Sequence, residues 1–280
     1  MQNSISRMPH VTGGVELWGR VAGSGGPWQL IWSDRNLILN GMLREQIRAI
    51  AGLGAPTDFE LANILFGTNG TPEQATDVAI TDPTTAAVTA HSYPTADSIY
   101  IEAYLGPLDG NGKTFQEMGL VMANGVVTAR KTFSAMTKSD PWEWNPRWTI
   151  KFRQPSAGLS TITAVGITHL LKMLGGDDAA DQPVNRMQFG TGTAYPISTD
   201  LTLQVPITPI KSIIDRTAVG DYQVDLTASL LATEANGFPI SEAGLVAVND
   251  ELVARANLSS TLNKNADYHA LFTWSLYPET

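Results

Sequence analysis

The chain has 280 residues, 43% of them hydrophobic, with 18 Lys and Arg against 27 Asp and Glu, a formal net charge of −9 and no cysteine. Such a length can bury one large core or two ordinary ones, and the acidic balance argues against nucleic acid, whose recognition rests on Lys and Arg facing phosphates. Without thiols there is no disulfide framework, thiolate metal site or cysteine nucleophile. Nor does any apolar run approach the roughly 20 residues that span a bilayer.

Met1 to Gly14 is polar, lacks the apolar segment of a signal peptide and is expected as a flexible arm. From Gly14 to Val21 apolar and polar residues alternate as in a strand, Gly23 to Pro27 reads as a turn, and Trp28 to Trp32 as the returning strand of a hairpin. Asn40 to Ile50 places Leu43, Ile47 and Ile50 at helical spacing, with Arg44, Glu45 and Arg48 opposite and Gly52 positioned to cap the end. Val165 to Leu174 repeats that pattern and stops at Gly175-Gly176. Strands follow over Ser98–Leu105 and Tyr222–Leu231, hairpins over Gly119–Phe133, turning at Asn124-Gly125, and Gly244–Leu258, turning at Asn249-Asp250, and closing strands over Arg147–Phe152 and Ala270–Leu276. Asn111-Gly112 and Asn236-Gly237 are expected to supply the positive φ angles of tight turns.

These elements occur in two copies. Asn111-Gly112, Glu117, Gly119 and Arg130 return at an offset of 125 as Asn236-Gly237, Glu242, Gly244 and Arg255, and Phe66-Gly67-Thr68 returns at 123 as Phe189-Gly190-Thr191. A register that drifts by one or two residues over such a span denotes tandem copies of one unit with small loop insertions. The expected fold is mainly β: two tandem, duplicated antiparallel β-sandwich domains, each with one α-helix, over residues 1–153 and 158–280, with the boundary in the Pro155, Ser156 and Gly158 stretch.

The order of helix, Phe-Gly-Thr-Gly, strand, Asn-Gly, Glu-Ala-Gly-Leu, Leu-Val-Ala-Arg and closing Phe-Thr-Trp strand resembles a β-sandwich domain of tailed-bacteriophage structural proteins, met in tail-fibre, collar and baseplate components. The stretches Val11–Trp18 and Arg35–Leu39 resemble the start of such proteins. The second copy carries the likeness more fully, since the first has Asn69 for Gly, Met118 for Ala and Thr128 within Val-Ala-Arg. The resemblance implies a non-enzymatic virion protein of the tail or neck, made in the host cytoplasm, that joins other virion proteins as a homo-oligomeric adaptor, collar or baseplate and fibre-attachment part. Rival placements are a capsid decoration or head-fibre protein, and a glycan-binding module of a receptor-binding tip.

The sequence offers little chemistry beside this. Gly112-Lys113-Thr114 lacks the Gly five residues upstream that a phosphate loop needs, because Pro107 stands there. Lys113 puts a cation where the calcium loop suggested by Asp109 and Asn111 needs an oxygen. Asp177, Asp178 and Asp181 read as a solvated loop, and His10, His91, His169 and His269 lack metal-ligand spacing. No catalytic group, cofactor or metal is expected. Glu117 and Glu242 are expected to satisfy turn amides or to pair with Arg130 and Arg255. Trp148 is assigned to the core through its match to Phe272, which leaves Trp142 and Trp144, flanking Glu143 in a Pro141–Pro146 loop, as the candidate interface aromatics.

Overall fold

The computed structural model describes residues 2–153 and 160–278, so the expected boundary stretch lies outside the described residues. The first half contains β1 (Gln2–Arg7), β2 (His10–Val21), β3 (Gln29–Arg35), β4 (Leu37–Ile38), α1 (Asn40–Ile50), β5 (Leu61–Gly67), β6 (Thr84–Thr95), β7 (Ser98–Ala103), β8 (Thr114–Met122), β9 (Val127–Thr137) and β10 (Trp142–Arg153). The second contains β11 (Ser160–Ile162), α2 (Ala164–Gly175), β12 (Val184–Gly190), β13 (Pro206–Ser212), β14 (Asp215–Ala218), β15 (Val224–Leu230), β16 (Pro239–Ala247), β17 (Leu252–Asn263) and β18 (Ala270–Tyr277). The chain is mainly β, almost entirely antiparallel, with one α-helix in each half.

Pairing follows the internal repeat. β5 pairs with β8 so that Gly67 faces Glu117, and β12 pairs with β16 so that Gly190 faces Glu242. The two hairpins turn where expected, through Gly125 at φ 86° and Asp250 at φ 73°. In the first half β6 pairs with both β5 and β7, which merges the strands into one nine-stranded sheet of order β3-β2-β10-β7-β6-β5-β8-β9-β4. Its counterpart is broken between β13 and β14, so the second half keeps two sheets, β11-β17-β16-β12-β13 and β1-β18-β15-β14.

The expected arm is instead a clasp. β1 runs parallel to β18, pairing Gln2 to Arg7 with Phe272 to Tyr277, and β2 then crosses to the first half and pairs antiparallel with β10. The first half therefore does not own all of residues 1–153, because its opening strand completes a sheet of the second. Met8, at the crossing, is fully buried. No local pattern encodes this pairing, since the partner strand lies at the other end of the chain.

Both helices dock by a glycine near their start. A Cβ on Gly41 would sit 2.5 Å from the carbonyl oxygen of Val127, and one on Gly166 would collide with that of Val253. Thr163 caps α2, its hydroxyl accepting the Gly166 N–H at 3.0 Å, and Gly176 ends the helix at φ 79°. An alanine inside a helix ordinarily gains about 1 kcal/mol over glycine. At Gly166 the collision with backbone outweighs that gain, and Gly166→Ala should lose about 1–3 kcal/mol by overpacking. Chemical denaturation checks the sign; a stabilised variant would refute the close docking.

Helix α1 corrects one expectation. Glu45, placed on the solvent side by the helical pattern, is buried and held by Arg44 at 2.8 Å and by the Asn124 amide at 3.2 Å. The two helices touch one another, and a continuous apolar core runs through both halves. Arg216 spans the junction, donating to the Ala51 carbonyl at 2.9 Å and to that of Val184 at 3.1 Å.

Candidate functional site

The repeated glutamates and arginines form a buried ionic latch in each half. Glu242 and Arg255 lie diagonally across the β16–β17 ladder, where Glu242 is paired with Asn257 and Arg255 with Gly244, and both are almost fully buried. Arg255 donates to Glu242 at 2.8 Å and to Asp200 at 2.8 Å, and reaches the Ala194 carbonyl at 3.0 Å. The Glu242 carboxylate also accepts the backbone N–H groups of Gly192, Gln204 and Val205 at 2.8–3.1 Å. In the first half Arg130 donates to Glu117 and Asp77, both at 2.7 Å, while Glu117 accepts from the N–H groups of Asn69 and Thr81. Burial works against the charge of Arg130, but its bonds to Glu117 and Asp77 outweigh this and raise its pKa above the ordinary value.

Both readings of Glu117 and Glu242 thus apply together: each satisfies loop amides and pairs with its arginine. Sequence reasoning missed Asp77 and Asp200, although they stand 123 residues apart, the offset of the Phe-Gly-Thr segments. The glycine of that segment makes room for the latch. A Cβ on Gly67 or on Gly190 would sit 2.5 Å from the Oε1 of Glu117 or Glu242 respectively. Phe66 and Phe189, fully buried, anchor the same strand ends in the core. Gly119 and Gly244 do likewise for side chains folded over the sheet, Ile80 in one half, Leu252 and Leu203 in the other.

Each latch cinches one long loop, 68–81 or 191–205. The necks are closed by Thr68 N–H to the Thr81 carbonyl at 3.0 Å and by Thr191 N–H to that of Val205 at 2.9 Å. Each loop has apolar side chains among its exposed residues: Val78 is 83% exposed in the first, and Tyr195 71%, Ile197 56%, Leu201 70% and Val205 48% in the second. Single exposed hydrophobes are commonplace, but four on one pinned loop are of the kind that marks contact sites.

Comparison with protein-family models, with curated proteins and with solved structures finds no match.

The repeated asparagines hold a second device. Lys138 and Lys264, both buried, donate to the Oδ1 of Asn111 at 3.2 Å and of Asn236 at 3.0 Å, and to the carbonyls of Pro107 and Ala232. Burial pushes the Lys138 ammonium below its ordinary pKa, with Asp109 and Asp140 opposing. The positive φ angles fall on Gly110 and Gly112, and on Ala235 and Gly237, so the asparagines serve through their side chains and only the following glycines fill the expected backbone role.

Trp144 is a core residue and not an exposed aromatic. Its loop is the start of β10, where alternation turns Trp144 into the core against Phe66 and Phe115, with ring centroids 5.6 and 5.9 Å away. Trp142 is half-buried, beside Ile31 and Thr137 in a shallow depression. Trp148 is core, as expected. Among the described residues no group of three or more acidic or histidine side chains is placed to hold a metal. Asp177 instead accepts the Tyr93 hydroxyl at 2.7 Å and pairs with His91 at 3.1 Å, joining the halves. His169, buried in α2, bridges the Gln182 carbonyl and Glu251, each at 2.9 Å.

Three carboxylates, exposed Asp34, half-buried Asp97 and buried Glu143, give the pH dependence. Bonds from Lys131 to Asp34, from Thr95 to Asp97, and from Tyr104 and Arg20 to Glu143 hold all three below the usual carboxylate range. The unfolded chain takes up these protons first as pH falls, so the stabilisation is complete above the ordinary value near pH 4 and disappears as pH drops through the lower folded values. Thermal melts should be level from about pH 7 to 5 and fall steeply towards pH 3; a melt at pH 3 equal to that at pH 7 would contradict the assignment.

Proposed function

We propose that this chain is a structural component of a tailed-phage virion, a tail-associated adaptor, collar or baseplate and fibre-attachment protein that works through protein–protein contacts. One observation supports this reading above the others. Each half buries an arginine–glutamate pair, joined by a partly exposed aspartate, to hold a loop, and in the second half the loop so held presents several apolar side chains outward. Burying charge is expensive even when it is paired. Here it preorganises a recognition loop, which lowers the ordering cost of binding. Such a loop, repeated over an oligomer, converts weak single contacts into firm attachment.

Replacing Tyr195, Ile197 and Leu201 together by Ser tests the reading. These side chains are exposed, so the melt should hold within a few degrees, while incorporation into particles should fall at least tenfold, as for loss of a contact patch. Normal incorporation would sink the loop as the contact. Labelling of particles for electron microscopy then places the chain: signal at the tail or neck is expected, and signal spread over the capsid would support the decoration alternative.

A further inference from the structure

We propose that the seam of the first-half sheet is a binding site for a small oxyanion bearing two or more acid groups, phosphate or carboxylate. The nine-stranded sheet begins at β3 and ends at β4, and these two edges are consecutive in the chain, joined through Asn36 alone. The sheet therefore curls back on itself without its edge strands pairing to each other. Beside the join lies a cleft of about 540 Å³, within the range of small-ligand sites.

Its walls are residues 10–14 and 35–38, the two stretches that carried the opening resemblance, with Thr149, Lys151 and Arg153 contributed by β10. Arg35, Lys151, Arg153 and His10 line it, and no Asp or Glu does, in a chain of net charge −9. Lys151 is engaged by Asp97 at 3.4 Å, and Asp34, next to Arg35, is committed to Lys131 at 2.9 Å. The guanidinium groups of Arg35 and Arg153 make no ion pair within the described residues. Planar forks of this kind bind carboxylate and phosphate through paired hydrogen bonds.

Asn36 adds a second observation. Its Nδ2 and Oδ1 are both shut off from solvent and have no partner among the described residues. The carboxamide lies where it does because position 13 is glycine: a Cβ there would overlap Asn36 Oδ1 and stand 2.9 Å from the Thr149 carbonyl oxygen. A buried amide donor without an acceptor is costly, and a small turn of the carboxamide towards the cleft that Asn36 lines would let an acid oxygen there supply that acceptor.

Titration of the full chain with inorganic pyrophosphate and separately with citrate, at constant ionic strength made up with chloride, tests the site by calorimetry and amide NMR. One site per chain is expected, with shifts at Gly13, Gly14 and Asn36, and the probe that binds more tightly identifies the acid type. Arg35→Ala with Arg153→Ala should weaken binding at least tenfold and Asn36→Leu about tenfold, as for lost bonds to a charged ligand. Both arginines are exposed, so the double variant should keep the parent melt. Absence of saturable binding by either probe up to about 10 mM, or equal affinity in the arginine variant, would overturn the proposal.

Discussion

Glu242→Ala should cost about 3–5 kcal/mol, because it strands the buried Arg255 with one carboxylate fewer and orphans loop amides at a single stroke. At roughly 2–4 °C per kcal/mol for a chain of this class, the melt should fall by about 6–20 °C. The comparison that isolates the latch is the double variant Glu242→Leu with Arg255→Met. Removing both charges leaves no uncompensated ion, so the pair should cost less than the sum of the two single changes. Additive costs, or a Glu242→Ala melt equal to the parent, would mean that the latch does not hold the fold. Loop 191–205 should meanwhile become the first segment cut by protease, since its neck loses the amide bonds to Glu242.

Deleting Met1 to Met8 should be comparably damaging, and for a different reason. The deletion removes the buried Met8, a side chain of a class worth about 2–5 kcal/mol in a core. It also leaves the outer edge of β18 from Phe272 to Tyr277 without its ladder partner. An unpaired edge is a template for pairing with other chains. The truncated chain should melt several degrees lower and sediment as larger species than the full chain at equal concentration. If sedimentation and melt both match the parent, β1 is an accessory strand and not a clasp.

Much of the local structure was legible in the residues. Helix α1 begins and ends where the spacing of Ile47 and Ile50 and the glycine at 52 place it, and both hairpins turn at the expected Asn pairs. Strands β1, β4, β5, β6, β11, β12, β13 and β14 were not read. In β6, for example, Ala86 is the only buried residue, so the run lacks the apolar alternation that identifies a strand from sequence. Trp144 was misplaced because the prolines at 141 and 146 suggested a loop, whereas ladder pairing with β2 starts at Trp142 and carries the strand on through Pro146.

The sequence by itself carried the internal repeat and the mainly β character, and narrowed each repeated glutamate to turn amides or its arginine. These are legible because a repeat, a period of two and a turn glycine are local or self-referring signals. Only the tertiary structure decided that the first strand completes the last sheet, that Asp77 and Asp200 close the latches, and that β3 and β4 meet at an open seam. Contacts between residues far apart in the chain follow from how whole sheets curl and which edges remain unpaired, and no spacing of residue types records that.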